Sequence, residues 1–80
     1  MSKPQPKAEI ALKRMAGSSM LLIWCYSQDA KDWITQHCRE FGFLFWDVNL
    51  EHFMLHTTPG YDFDEVITYI MSYGNVLVVQ

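Results

Sequence analysis

The order of secondary-structure patterns along the chain constrains its fold more than any other feature. Two helix-patterned segments, each beginning at an acidic residue and ending at a glycine, alternate with four short β-rich runs in the order β-α-β-β-α-β. The pattern fills residues 20–80 of an 80-residue chain. A chain of this length forms one small domain that buries roughly 60–65% of its unfolded surface. Half of the residues are hydrophobic and 15% are aromatic, which supports a core and excludes disorder for most of the chain.

The first half of the pattern is a strand followed by a helix. Residues 20–27 are an unbroken apolar run between polar residues, which is typical of a strand buried on both faces. Apolar residues then recur every three or four positions over residues 30–41, and this spacing predicts an amphipathic helix. Asp29 is expected to cap its first turn and Gly42 to provide its left-handed end.

The second half is a hairpin, a helix and a last strand. Two β-rich runs at 43–49 and 52–57 are separated by a very short turn, which predicts a hairpin. Asp62 followed three residues later by Glu65 is a capping-box arrangement, so the second helix is expected to begin there. Residues 75–80 complete the pattern as a final strand.

These elements predict an α+β fold of the ferredoxin-like kind. A β-α-β connection that returns to the same sheet crosses over right-handed, and two such split units give a four-stranded antiparallel sheet with two helices on one face. The expected strand order, 4-1-3-2, places the first and third β-rich runs at the centre. A fold this widely shared does not specify an activity.

A basic arm, residues 1–19, precedes the predicted ferredoxin-like domain of residues 20–80. Apolar residues with helical spacing predict a short helix over residues 8–16, which either packs on the body or frays. Residues 1–14 carry four basic residues and one acidic residue, whereas residues 15–80 carry two basic and eight acidic residues. This split is explained by a mobile tail that aids solubility, by an acidic body that meets a basic protein surface, or by an arm that contacts nucleic acid.

The two cysteines, Cys25 and Cys38, indicate a reducing compartment. Small secreted scaffolds usually carry four or more cysteines, so two buried free thiols are expected in place of a disulfide. Residues 1–19 are too polar for a signal peptide, and no apolar stretch approaches the roughly 18–20 residues that span a bilayer. We therefore predict a cytoplasmic protein, in the host cell if it is virally encoded, with no membrane contact.

No motif in the chain predicts a cofactor, a metal site or a catalytic centre. His52 and His56 lie four residues apart on one strand, about 13 Å, which is too far to bind one ion together. His37 and Cys38 diverge by about 100° on a helix and cannot form a nucleophile–base pair, so His37 is expected to bond a backbone carbonyl. Acylphosphatases share the predicted fold but need an arginine in the loop after the first strand, and residues 27–29 contain none. The sequence predicts that the protein is not an enzyme.

Alternation along the strands predicts an aromatic sheet face without helices. Odd-numbered positions of the first run suit packing under the helices, so the even-numbered rings are expected on the opposite face. That face needs a cover, which is the arm, a second copy in a homodimer, or a foreign protein partner. The predicted contact residues on it are Trp24, Tyr26, Phe43, Phe45, Met54 and His56.

Acidic residues at the two helix starts form a second predicted contact. Asp62, Asp64 and Glu65 begin the second helix, and dipole stabilisation alone explains their position. Asp29 and Asp32 begin the first helix in the same way. If the two groups lie on one side, they can meet an arginine-rich groove or imitate a phosphate track.

Two further functions stay open. A compact, acidic domain without motifs resembles the small inhibitors that bacteriophages and mobile elements use against host nucleoprotein complexes, including anti-CRISPR proteins; the resemblance is one of size and charge. RNA-recognition domains share the β-α-β-β-α-β order and stack bases on central-strand aromatics such as Trp24 and Tyr26. Against RNA binding, residues 52–57 lack the basic-glycine-aromatic segment of that family, and the acidic body repels phosphate.

Overall fold

Two helices cover one face of a five-stranded mixed sheet in the computed structural model, which describes residues 8–15 and 17–79. The order across the sheet is β3-β4-β2-β1-β5, and every neighbouring pair is antiparallel except β1 and β5. A short 3-10 turn at Arg39–Phe41 follows the first helix. The elements are β1 (Ile10–Arg14), β2 (Met20–Cys25), α1 (Gln28–His37), β3 (Gly42–Asp47), β4 (His52–Thr57), α2 (Phe63–Met71) and β5 (Val76–Val79).

The segment predicted as a helix over residues 8–16 contains a strand, so that prediction was wrong. β1 pairs antiparallel with β2, in a register that runs from Ile10 opposite Cys25 to Arg14 opposite Leu21. Ile10 and Leu12 are fully buried there. Apolar residues in so short a segment fit either period, and pairing with two neighbouring strands satisfies the backbone and buries the side chains. Residues 1–7 and residue 16 of the predicted arm lie outside the described residues.

The insertion of β1 changes the predicted four-stranded antiparallel sheet. The expected central pair is confirmed, because β2 pairs antiparallel with β4 from Met20 opposite His56 to Ile23 opposite Phe53. β5 was expected to pair with β2, but β1 occupies that edge and β5 pairs parallel with β1 instead. The ferredoxin-like antiparallel sheet is therefore replaced by a five-stranded sheet with one parallel pair.

The helix ends differ in part from those predicted. Ser27, and not Asp29, caps α1: the Ala30 N–H donates to the Ser27 Oγ at 3.1 Å. α1 ends before the 3-10 turn, so Gly42 begins β3 instead of ending the helix. Asp62 caps α2 as predicted, accepting from the Asp64 N–H at 3.1 Å. No helix among the described residues has the length and apolarity needed to cross a membrane.

The hydrophobic core lies between the two helices and one face of the sheet. Leu21 and Ile23 on β2 and Leu55 on β4 are fully buried there, as alternation predicted. Ile34 on α1 is equally buried. The rest of the core is formed by Ile10, Leu12, Cys25, Ala30, Cys38, Phe41, Phe53, Phe63, Val66 and Ile70.

Both cysteines are free and buried, which confirms the prediction of two unpaired thiols. Desolvation by burial raises the pKa of the Cys25 thiol from 9.0 to about 12, although the Lys31 charge acts in the opposite direction. Desolvation also raises the pKa of the Cys38 thiol to about 12, helped by nearby Cys25 and Glu40. Because these folded pKa values lie above the unfolded value, the thiols add stability that is present below about pH 9 and lost between about pH 9 and 12.

We expect neither thiol to react with an aromatic disulfide reagent at pH 8 while the protein is folded. A thiol with a pKa near 12 has a thiolate fraction on the order of 10⁻⁴ at pH 8, and burial also blocks access to it. The colorimetric assay should detect no thiol in the native protein and both thiols in guanidinium chloride. A rapid reaction of either cysteine without denaturant would contradict the buried positions of Cys25 and Cys38.

Candidate functional site

The sheet face opposite the helices, here called the open face, carries three rows of side chains that cross the strands. Strand register defines most of each row, and the ring contact between Trp24 and His52 joins the two halves of the third. The first row is Phe43, His56 and Met20; the second is Phe45, Met54, Leu22, Lys13 and Val79; and the third is Asp47, His52, Trp24, Ala11 and Leu77.

The open face contains most of the contact residues predicted from alternation. Trp24, Phe45 and Met54 lie there half-buried, and Phe43 is 68% exposed. Tyr26 follows the end of β2 and is exposed beside the third row. The structure therefore brings the predicted aromatic residues together on one surface, and the former arm contributes β1 to that surface instead of covering it.

Ring contacts hold the aromatic side chains of the open face in place. The Trp24 and His52 ring centroids are 5.0 Å apart in an edge-on arrangement, and His52 is only 4% exposed. His52 was expected to be partly solvated, but the indole of Trp24 lies against it. Phe45 lies 5.6 Å from Phe43 and stacks on His56 at 6.2 Å. Such pairs pre-order apolar surface that a partner can bury at low entropic cost.

Within the part of the chain that the structure describes, Lys13 and Asp47 are the charged residues in the three rows of the open face. The Asp47 carboxylate accepts hydrogen bonds from the Asn49 N–H at 2.9 Å and the Leu50 N–H at 3.0 Å. It therefore stabilises the β3–β4 turn. With neutral histidines the open face has no net charge, whereas the whole chain carries −3.

Several apolar residues of this surface were missed by sequence reasoning. Leu77 and Val79 complete the third and second rows and are exposed, whereas Leu22 had been placed beside Trp24 by alternation. Val48 and Leu50 are exposed in the β3–β4 turn. The sequence feature that could have identified Val48 and Leu50 is their place in a hairpin turn. Polar residues usually fill such turns, and valine and leucine are uncommon there.

The acidic helix starts do not form one patch. Glu9 shows that α1 and α2 run in opposite directions: its carboxylate accepts from the Ser27 hydroxyl before α1 at 2.9 Å and from the Tyr73 hydroxyl after α2 at 3.3 Å. Desolvation, together with the charge of Glu9, raises the pKa of Tyr73. The helix starts therefore lie at opposite ends of the helix layer. Asp29 and Asp32 are at one end, and Asp62, Asp64 and Glu65 are at the other.

The residues considered for metal binding or catalysis are not brought together. Cys25 lies in the core, whereas His52 and His56 belong to the open face on the other side of the sheet. Within residues 8–15 and 17–79, no three His, Cys, Asp or Glu side chains are placed to hold a metal ion. The His37 Nδ1 lies 2.8 Å from the Trp33 carbonyl oxygen, which is the backbone contact predicted for it.

Comparison of the chain with protein-family models, curated proteins and solved structures found no match.

Proposed function

We propose that this protein is a non-enzymatic protein-interaction module whose open face packs against the open face of a second copy. The observation that supports the proposal is the concentration of apolar side chains in all three rows of that face. A sheet with one apolar face covered by helices and a second, largely apolar face uncovered has a tendency to bury the second.

The size of the open face suits such an interface. Five strands of up to six residues give a footprint of about 24 Å by 17 Å, or roughly 400 Å². Apolar patches of about this size on monomers often mark interaction sites. Leu50 in the β3–β4 turn lies beside Trp24 and Tyr26 and extends the apolar surface beyond the strands. Two sheets can pack face to face at a distance of about 10 Å with their side chains interdigitated.

A second copy is the partner that the charge distribution favours. The open face carries one cation and one carboxylate, so two such faces meet without a net like-charge repulsion. Acidic helix starts remain on the far sides of the two sheets. Homodimer interfaces are more apolar than transient ones, and two-fold dimers are the commonest oligomers. The free, buried thiols support a cytoplasmic setting for this assembly.

The inhibitor and RNA-binding functions remain predictions with less structural support. Acidic residues at opposite ends of the helix layer give no continuous track that imitates nucleic acid. Among residues 8–15 and 17–79, Lys13 is the one lysine or arginine in the three rows of the open face, and RNA-binding surfaces need several cations to contact phosphates.

The Leu22→Glu substitution tests the proposal at the centre of the open face. The new carboxylate lies beside Lys13 on β1, so the monomer tolerates it, whereas packing against a second copy would bury the charge. We expect the dissociation constant of the face-to-face contact to rise at least about 100-fold. In sedimentation velocity, the mass of the assembly should fall by half.

Met71→Glu is the matched control. Met71 is 49% exposed on α2 and lies away from the open face, so the same change of charge there should leave the assembly mass unchanged. An assembly mass that is the same in Leu22→Glu as in the unsubstituted protein would refute the proposed interface. So would a wild-type chain that stays monomeric at about 100 µM.

A further inference from the structure

β3 is an edge strand with features that natural sheets usually avoid at their edges. It is one of the two outer strands of the sheet and is six residues long, whereas the other, β5, has four. It contains no proline and no lysine, the residues that commonly prevent an edge from pairing. Three of its six residues are aromatic. Such an edge is a template for another strand.

The pairing of β3 with β4 determines which backbone groups face outward. The Thr58 N–H donates to the Phe41 carbonyl at 2.9 Å, so residues 41 and 58 form a hydrogen-bonded pair of the antiparallel ladder. Bonded pairs alternate along the ladder, so the backbone of Phe43 and Phe45 also bonds to β4. The N–H and C=O groups of Gly42, Leu44 and Trp46 therefore point to the open edge.

We propose that β3 pairs antiparallel with β3 of a second copy, joining the two sheets into one of ten strands. This contact uses an edge that the proposed face-to-face packing leaves open, so it goes beyond that function. The two-fold axis passes at Leu44, and each Gly42 lies opposite Trp46 of the second copy. Phe43 of each copy then lies opposite Phe45 of the other, on the open-face side.

Side-chain complementarity supports this register over its neighbours. The Phe43–Phe45 pairs form an aromatic ladder, a favourable cross-strand combination. Asp47, the one charged residue of β3, falls outside the paired stretch, and the two copies of it are about 20 Å apart. If each β3 were instead shifted by one residue along the junction, Asp47 of one copy would lie opposite Phe43 of the other.

Face packing and edge pairing are compatible in one closed assembly. The edge axis is perpendicular to the sheet, and the face axis lies between the two layers. Together they generate four copies with dihedral symmetry. The two contacts can therefore be broken separately: the loss of either one leaves two copies, and the loss of both leaves one.

The decisive variant carries N-methyl-leucine at position 44. The chain can be assembled by ligation at Cys38, which leaves a synthetic segment of residues 38–80. N-methylation removes the outward N–H and adds bulk at the edge while keeping the leucine side chain in place. We expect the unmodified synthetic chain to form four copies, N-methyl-Leu44 two, Leu22→Glu two, and the combined variant one.

The outcomes separate this inference from the proposed function. If N-methyl-Leu44 retains the mass of the unmodified chain, the edge contact is refuted whatever Leu22→Glu does. If N-methyl-Leu44 halves the mass but Leu22→Glu does not, the edge contact stands and the face contact fails. A Leu22→Glu chain that is monomeric also refutes the edge contact. That variant leaves β3 unchanged, so two copies should still pair through it.

Amide hydrogen exchange gives a second readout that needs no synthetic chain. In the Leu22→Glu protein, where only the edge contact remains, we expect the exchange of the Leu44 and Trp46 amides to slow at least 100-fold on going from dilute to concentrated solution. The amides of Phe43 and Phe45, which already bond to β4, should change much less. Equal exchange of Leu44 at both concentrations would overturn the inference.

Discussion

Replacing Gly42 with alanine is expected to destabilise the fold by about 2–4 kcal/mol. A Cβ atom at this position would lie 2.8 Å from the carbonyl carbon of His56 and 2.9 Å from the Cα of Thr57, and closer still to the His56 carbonyl oxygen. All three atoms belong to the backbone of β4, so no change of rotamer relieves the clash. The first residue of β3 must therefore move away from β4 or the ladder must open.

Urea denaturation should be compared between Gly42→Ala and Gly17→Ala. Gly17 has a φ of 75°, and no atom lies within 4 Å of the position that its Cβ would take. Alanine there incurs only the backbone penalty of the left-handed region, about 1 kcal/mol. The difference between the two variants measures the close approach of β3 to β4. Equal losses of stability in the two variants would show that the backbone of β4 does not exclude a side chain at position 42.

The part of the fold that sequence reasoning predicted depends on local periodicity. Residues 20–27 contain β2, and the hairpin and second helix lie close to their predicted positions. Odd and even positions of β2 separate into buried and half-buried sides, which is what strict alternation requires. The predicted pairing of β2 with β4 followed from the order of the elements, and the structure has it. These features need no information from distant parts of the chain.

The strand β1 could not be predicted in the same way. Its local sequence fits a helix, and what makes it a strand is pairing with β2 on one side and with β5, more than 60 residues away, on the other. Ser27 shows a similar effect at shorter range. Ser27 and Asp29 are both good capping residues, and the hydrogen bond from the Ser27 hydroxyl to Glu9, beside β1, holds Ser27 at the cap position.

The candidate site was predicted in outline and missed in detail for the same reason. Alternation placed Trp24 and Met54 on one face, because each lies in a strand that the sequence identified. Lys13 joined that face through the pairing of β1 with β2, and Leu77 and Val79 joined it through the parallel pairing of β5 with β1. Whether the acidic helix starts share a side depends on the relative direction of the helices. The contacts of Glu9 settle that direction.

The Leu12→Ala substitution is expected to lower the free energy of unfolding by about 2–5 kcal/mol. Leu12 is fully buried in the core, opposite Ile23 on β2 and Val78 on β5. Truncation to alanine loses the transfer free energy of the removed atoms and leaves a cavity between three strands and the helices. In a frayed arm outside the domain, the same substitution would cost almost nothing, so the stability of this variant decides whether β1 is an integral strand.

Lys13→Ala provides the matched control in the same strand. Lys13 is exposed on the open face, so its truncation removes no core contact and should change stability by less than about 0.5 kcal/mol. Urea denaturation of both variants at a protein concentration too low for association keeps association from adding to the apparent stability. If Leu12→Ala unfolds at the same urea concentration as Lys13→Ala, β1 does not contribute to the core. The open face would then lose both β1 and β5, because β5 is joined to the sheet only through β1.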